Sequence, residues 1–217
     1  IVLDSLPFKL TGAQLRTLEE LELDLEKNLI TERLIQGDVG SGKTIVTILA
    51  AYKAVKSGYQ VAVMVPTAIL ADQHLESFKQ ILDKYNINIQ ILKSGMKKKE
   101  KTQVLEDIEN GNIDILIGTH AILEENVVFN NLGLVVTDEQ HRFGVNQRAN
   151  LRNKGNYPDV LYMSATPIPR TYALTIYGDM DISSIKKMPK GRKPVETIIK
   201  SEAEIKDVLE MMYKELV

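Results

Sequence analysis

Leu34-Ile35-Gln36-Gly37-Asp38-Val39-Gly40-Ser41-Gly42-Lys43-Thr44 decides how this chain is read. From Gly37 to Thr44 it holds G-x-x-x-x-G-K-T, the spacing of a phosphate-cradling loop. Glycines let successive backbone N–H groups turn inward around an anion, and a following helix adds its positive N-terminal end. Lys43 would reach the β- and γ-phosphates of a nucleotide, and the Thr44 hydroxyl would bind Mg²⁺. The flanks agree, since 33–36 reads as the end of a strand and 45–55 (IVTILAAYKAV) as a buried helix. The alternative is a glycine-rich turn that fits by chance, and strand before with helix after weighs against it. Gly37, Asp38, Val39, Gly40, Ser41, Gly42, Lys43 and Thr44 are therefore the expected binding residues for a nucleoside triphosphate.

Composition narrows the setting. The 217 residues are 44% hydrophobic, enough for a core, and no apolar run approaches the ~18 residues of a membrane span. Residues 1–9, broken by Asp4 and Pro7, do not read as a signal peptide. The absence of cysteine excludes disulfides and thiolate metal sites and suits a cytoplasmic protein. A formal charge of −2 argues against a bulk electrostatic grip on nucleic acid, so any such surface must be local or come from elsewhere in a larger protein.

Working outward from the loop, apolar strands alternate with amphipathic helices. Strands are expected at 61–65, 87–92, 113–117, 132–137 and 160–163, with helices at 68–85 and 97–110 and shorter ones after Thr119 and Pro169. Upstream, Thr11 caps an expected helix over 12–28, with Leu15, Leu18, Leu21 and Leu25 at helical spacing, and residues 1–10 read as a linker or leading arm. Near-continuous apolar strands separated by helices imply an α/β fold, a mostly parallel sheet with helices on both faces. From Gly178 to Pro194 the character changes, and Met188-Pro189-Lys190-Gly191-Arg192-Lys193-Pro194 reads as a linker. A strand-like 195–199 and an amphipathic helix over 202–216 then look like the opening of a second domain.

A phosphate loop becomes a hydrolase only with a metal-ordering carboxylate. Leu132-Gly133-Leu134-Val135-Val136-Thr137-Asp138-Glu139-Gln140-His141 delivers Asp138 and Glu139 at the C-terminal end of an apolar strand, where ligands bind in open α/β sheets. Asp138 would hold Mg²⁺, and Glu139 would orient and deprotonate the attacking water. An acidic strand end is common by itself; its pairing with the phosphate loop makes Lys43, Asp138 and Glu139 the expected catalytic set.

These stretches, with Ser164-Ala165-Thr166-Pro167, resemble motifs I, II and III of superfamily 2 helicases in their order. Thr11-Gly12-Ala13-Gln14 resembles the adenine-reading Q motif, Pro66-Thr67-Ala68-Ile69-Leu70-Ala71 motif Ia, and Gly118-Thr119-His120-Ala121 motif Ib. The wording of 37–44, 138–145 and 165–171 is sharper, and resembles the RecG family of bacterial branched-DNA helicases. The transcription-repair coupling translocases share A-T-P-I-P-R-T; His141 and Gln147-Arg148 favour the former.

The resemblance implies a RecA-like P-loop NTPase lobe spanning 11–182, a linker over 183–194, and an incomplete second lobe over 195–217. Gln14 would read adenine and Phe8 would stack near the base, although a Phe beside Pro also suits packing. Thr67 and Thr119 would touch phosphates of a tracked DNA strand, a role each shares with plain helix capping. Gln140, His141, Ser164 and Thr166 would couple the ATP and DNA sites, and Arg142, Arg148 and Arg152 would face DNA or a neighbouring domain. The family's T-G-S after the third strand is here Lys93-Ser94-Gly95, and the following Lys97, Lys98, Lys99 and Lys101 are either a DNA-facing patch or a solvated face. His74 and His120 form no metal cluster with His141 by spacing.

A second lobe would donate transition-state arginines worth about 10³–10⁵ in rate, and a wedge domain would recognise the branch. The expectation is thus an ATP- and Mg²⁺-binding first motor lobe of a monomeric helicase acting on forks and Holliday junctions, nearly inactive by itself. A P-loop small-molecule kinase and a nucleotide-sensing interaction module are the readings from other classes.

Overall fold

The alternation of apolar strands and amphipathic helices closes into a single seven-stranded parallel sheet. The computed structural model describes residues 2–27, 30–138, 150, 153–155, 157–166, 180–185, 198–201 and 204–216. In chain order these contain α1 (Gly12–Leu25), β1 (Glu32–Gly37), α2 (Lys43–Lys56), β2 (Gln60–Met64), α3 (Ala68–Leu82), β3 (Ile89–Leu92), α4 (Lys98–Glu109), β4 (Ile115–Gly118), β5 (Leu132–Asp138), β6 (Asp159–Ser164) and β7 (Asp181–Ile185). The strand order is β3-β4-β2-β5-β6-β1-β7, and every pairing is parallel.

Side chains alternate across the sheet with the period of two that a strand imposes. Ile35, Val61, Val63, Ile115, Ile117, Leu134, Val136, Leu161 and Met163 pack on one face with α1, α2 and α3. Leu34, Ala62, Met64, Leu116, Val135, Val160 and Tyr162 pack on the other, against Val104 and Ile108 of α4. Burial on both faces is why the strands read as unbroken apolar runs rather than alternating ones.

Thr11 caps α1 as its sequence implies. Its hydroxyl accepts from the Gln14 backbone, while the Gln14 side chain accepts from the Thr11 N–H at 2.8 Å, a reciprocal capping box. The helix stops at Leu25, short of the expected 28, and within it Leu18 and Leu21 enter the core while Leu15 faces out. The leading arm is not loose. A 3₁₀ turn at Leu3–Ser5 buries Val2, the Ser5 and Tyr85 hydroxyls bond to each other, and Lys84 Nζ reaches the Ser5 carbonyl at 3.2 Å.

The stretch expected to change character from Gly178 holds a strand. β7 lies at the sheet edge beside β1 and runs to Ile185, past the expected start of the linker at 183. Its sequence, Asp-Ile-Ser-Ser-Ile, lacks an apolar run because Arg33 holds it from the neighbouring strand: Arg33 Nη1 donates to Ser183 Oγ at 2.9 Å. The same guanidinium meets Asp24 Oδ2 of α1 at 2.5 Å through Nε, so one buried cation joins α1, β1 and β7. The short helix expected after Thr119 is a 3₁₀ turn, His120–Leu123; the one after Pro169, the basic stretch 188–194, and 195–197 of the strand-like segment lie outside the described residues. The helix expected over 202–216 spans Ile205–Leu216 and exposes Ile205, Leu209 and Met212.

Candidate nucleotide site

The sheet brings the two separated halves of the expected site together. β6 lies between β1 and β5, pairing Gln36 with Ser164 and Met163 with Asp138. The phosphate loop, Ser164 and Asp138 therefore end level along one edge, with the outer two strands roughly 10 Å apart at ~4.8 Å per strand spacing. Asp138 continues the face of Leu134 and Val136, which places its carboxylate on the side covered by α2 and α3.

The loop is shaped for an anion. Gly42 sits at φ +86°, just before α2, in the left-handed region that glycine adopts at little cost. The first turn of α2 has N–H groups with no intrahelical acceptor, and its dipole adds positive potential. Ser41 Oγ is buried with no partner among the described residues, a polar atom within the cradle itself. Asp38 bonds within the loop, its Oδ1 accepting from Val39 N–H at 2.8 Å and its carbonyl from Ser41 N–H at 3.1 Å. Lys43 folds back over the loop and donates to the Gly37 carbonyl at 2.6 Å and the Asp38 carbonyl at 3.1 Å. Those carbonyls hold the ammonium where an incoming phosphate would draw it off. The donor set fits a triphosphate with Mg²⁺: a lysine, a first-turn hydroxyl at Thr44, a Ser41 hydroxyl without a partner among the described residues, and an oxygen-only ligand at Asp138.

A cleft of about 950 Å³ opens beside the loop, lined by Phe8, Thr11, Gln14, Thr44 and Ile48 among others. Phe8 is 49% exposed, so it lines this cleft rather than filling the core. Gln14 is buried, and its Nε2 donates to the Ser41 carbonyl at 2.8 Å while its Oε1 serves the α1 cap. Each amide atom retains one further hydrogen-bonding position. Gln14 also polices the loop, because a Cβ at Gly42 would fall on its Nε2. Gly42→Ala should destabilise the chain by about 1–2 kcal/mol from the left-handed backbone alone, with the clash in addition. Adding Gln14→Ala should relieve the clash but not the backbone term. Denaturant midpoints of the single and double variants check this, and an unshifted Gly42→Ala midpoint would refute it.

Ser164 is fully buried and donates to the Thr166 carbonyl at 3.2 Å, with the two hydroxyls 3.1 Å apart. Gln36 Nε2 makes a long 3.5 Å contact to the same carbonyl, so the Ser164–Thr166 turn touches the strand that feeds the phosphate loop. Thr67 caps α3, its hydroxyl accepting from Leu70 N–H at 3.3 Å. Thr119 does not cap; it is 4% exposed and its hydroxyl has no partner among the described residues. Lys93 is bound by Asp72 at 2.6 Å and Lys101 by Glu124 at 2.6 Å, whereas Lys97, Lys98 and Lys99 are exposed. Glu139, Gln140, His141, Arg142, Gln147, Arg148 and Arg152 lie outside the described residues.

The sequence reading weighed His74 only as a metal ligand and missed its partner. His74 Nε2 lies 2.9 Å from Asp138 Oδ2, two helical turns along α3 from Thr67. Its signal was positional: Ala71, His74, Phe78 and Leu82 form the buried stripe of α3, and a histidine among three apolar residues needs a reason.

Residues 11–175 match the DEAD/DEAH box helicase family. The chain is 53% identical over 214 residues to "ATP-dependent DNA helicase RecG" of Staphylococcus epidermidis, covering 99% of this chain and 31% of that protein. It is 51% identical over 212 residues to the protein of the same description from Bacillus subtilis, covering 98% and 31%. A solved structure of RecG bound to a three-way DNA junction superposes with a TM-score of 0.88 at 45% identity, covering 99% of this chain and 29% of that one. The chain thus spans about a third of the length of the curated relatives it matches.

Proposed function

The chain belongs to the DEAD/DEAH box helicase family, and we propose that it is the ATP-binding first motor lobe of a RecG-type helicase. The observation that carries this reading is the juxtaposition of the Gly37–Thr44 loop and Asp138 across β6, in a chain so similar to RecG proteins over nearly its whole length. The lobe comprises residues 11–185, preceded by the arm 1–10, of which 2–10 pack on it, and followed by a linker in 186–194 and the opening of a second lobe in 195–217.

Lys43 and the loop N–H groups bind the triphosphate, Gln14 and Phe8 face the base, and Thr44 and Asp138 hold Mg²⁺. Mg²⁺ held there would supply charge neutralisation for the phosphoryl oxygens. Glu139 positions and deprotonates the attacking water. Thr67 and Thr119 contact the DNA backbone without reading sequence, and the unpartnered Thr119 hydroxyl supports its part in this. Ser164, Thr166, Gln140 and His141 couple the two sites. The substrate is branched DNA at forks and recombination junctions, acted on by a cytoplasmic monomer. No helix among the described residues is long and apolar enough to cross a membrane. A small-molecule kinase has no use for the Ser164–Thr166 turn lying beside the phosphate loop, and the comparisons favour the RecG group over the transcription-repair translocases.

The test is ATP turnover by a full-length protein carrying this lobe, with no DNA, linear duplex, and a three-way junction. Several-fold greater stimulation by the junction is expected. Turnover indifferent to every DNA would overturn the helicase reading.

A further inference from the structure

We propose that His74 is a positioning residue for Asp138, fixing the rotation of the carboxylate that orders Mg²⁺. The inference rests on the reading of Asp138 as the metal-side carboxylate. His74 is 6% exposed and sits between Ala71 and Phe78 on the buried face of α3, with its ring 6.3 Å from that of Phe78. Asp138 projects from the same face of the sheet, and the two side chains meet at 2.9 Å.

The hydrogen-bond inventory assigns the roles. An ionised carboxylate only accepts, so Nε2 carries the hydrogen and donates to Oδ2; in the neutral ring Nδ1 is then an acceptor. Nδ1 is buried with no partner among the described residues. A histidine kept for core hydrogen bonding would satisfy both nitrogens, because a buried unpaired acceptor is unfavourable. This one directs its donor at the carboxylate, and its other nitrogen has no partner among the described residues.

The terminal torsion of an aspartate is broad and roughly two-fold, so the backbone of β5 does not by itself set which way the oxygens face. A donor held on a rigid, buried helix does. The arrangement has the logic of groups behind a metal ligand that orient it, where substitution changes metal affinity or activity by about 10–100-fold.

The test compares His74→Phe, which keeps a ring of similar size without the donor, and His74→Gln, which returns an N–H at similar reach. His74→Leu serves as a second donor-free variant should the Phe form not fold. All are made in a full-length protein carrying this lobe. The readout is binding of a fluorescent, non-hydrolysable ATP analogue with and without Mg²⁺, beside ATP turnover. His74→Phe is expected to raise the Mg²⁺ concentration needed for tight binding by about 10–100-fold, with metal-free analogue affinity unchanged and His74→Gln close to the parent. Donor-free variants with the parent's Mg²⁺ dependence would overturn the proposal. So would equal losses in the Phe and Gln forms, or losses that extend to metal-free binding, since a purely structural histidine predicts those. If the parent responds to Mg²⁺ but its turnover ignores junction DNA, the helicase reading fails and the role of His74 stands. If junction stimulation is present and the donor-free variants bind as the parent does, only the His74 proposal fails.

Discussion

Lys43→Ala should remove the thermal stabilisation that ATP with Mg²⁺ gives the chain, and lower ATP turnover by about 10²–10³-fold in a full-length protein carrying it. Lys43 donates to the Gly37 and Asp38 carbonyls at the mouth of the loop. Those bonds sit at a partly open surface, where exchange for water is nearly even, so the substitution should change the stability of the free chain by no more than about 0.5 kcal/mol. With nucleotide present the balance differs. On the proposed reading the same ammonium would meet phosphate oxygens, where charge-assisted bonds are about twice as strong as neutral ones. Ligand-linked stabilisation makes the difference measurable without turnover: about 2.7 kcal/mol at a ligand concentration 100 times Kd, and nearly nothing once Kd exceeds it. Lys43→Arg is the informative companion. It keeps the charge, but its planar fork cannot substitute for a compact point charge in a loop closed around Gly42, so it should behave more like alanine than like lysine. A Lys43→Ala variant that still gains the parent's stabilisation from ATP would show that the loop is not the triphosphate site.

How far the sequence carried is visible in particular residues. The strands from Gln60–Met64 to Asp159–Ser164 were legible because a sheet buried on both faces demands continuous apolar runs, and the loop because its chemistry demands glycine at fixed spacing. β7 was not legible. Ser183 and Asp181 are stabilised by Arg33, about 150 positions earlier, and no local pattern reports a partner that distant. The packing of the arm was hidden for the same reason, since Val2 is buried by contacts that only the fold creates. Gln14 shows a different limit. Its motif resemblance pointed at adenine, yet in the structure it first closes the α1 cap and holds the Ser41 carbonyl, which ties helix start to phosphate loop. His74 lay between the two cases: its place in the apolar stripe was readable, but not what it would face.

Asp24→Ala is expected to have the largest effect on stability, about 3–5 kcal/mol, because it strands a buried cation. Arg33 and Asp24 are both under 10% exposed, and Asp24 also accepts from Lys27 Nζ at 2.8 Å. Remove the carboxylate and the guanidinium retains Glu20 at 3.4 Å and Asp181 at 3.6 Å, both on more open side chains. β7 should loosen with it, since Ser183 is held through the same group. Burial alone would raise the Asp24 carboxyl, but hydrogen bonds and charge from Arg33 and Lys27 outweigh it and hold the group below its ordinary range. The sign follows. A carboxyl depressed in the folded state contributes its full stabilisation above its unfolded pKa of about 3.9, and loses it as pH falls through the lower folded value. Asp159 runs the other way: burial raises it despite the bonds from the Thr31 N–H and hydroxyl, so it favours the folded chain as it takes up a proton. Below about pH 4 the parent should therefore lose stability on acidification through Asp24, and Asp24→Ala should lose markedly less. Leu in place of Arg33 together with Ala at Asp24 removes both charges and should recover much of the loss, since a buried pair replaced by apolar groups is often near neutral. Urea midpoints from pH 3 to pH 7 for parent, single and double variants decide it: a single variant with the parent's midpoint and acid slope would mean the Arg33–Asp24 pair does not hold α1, β1 and β7 together.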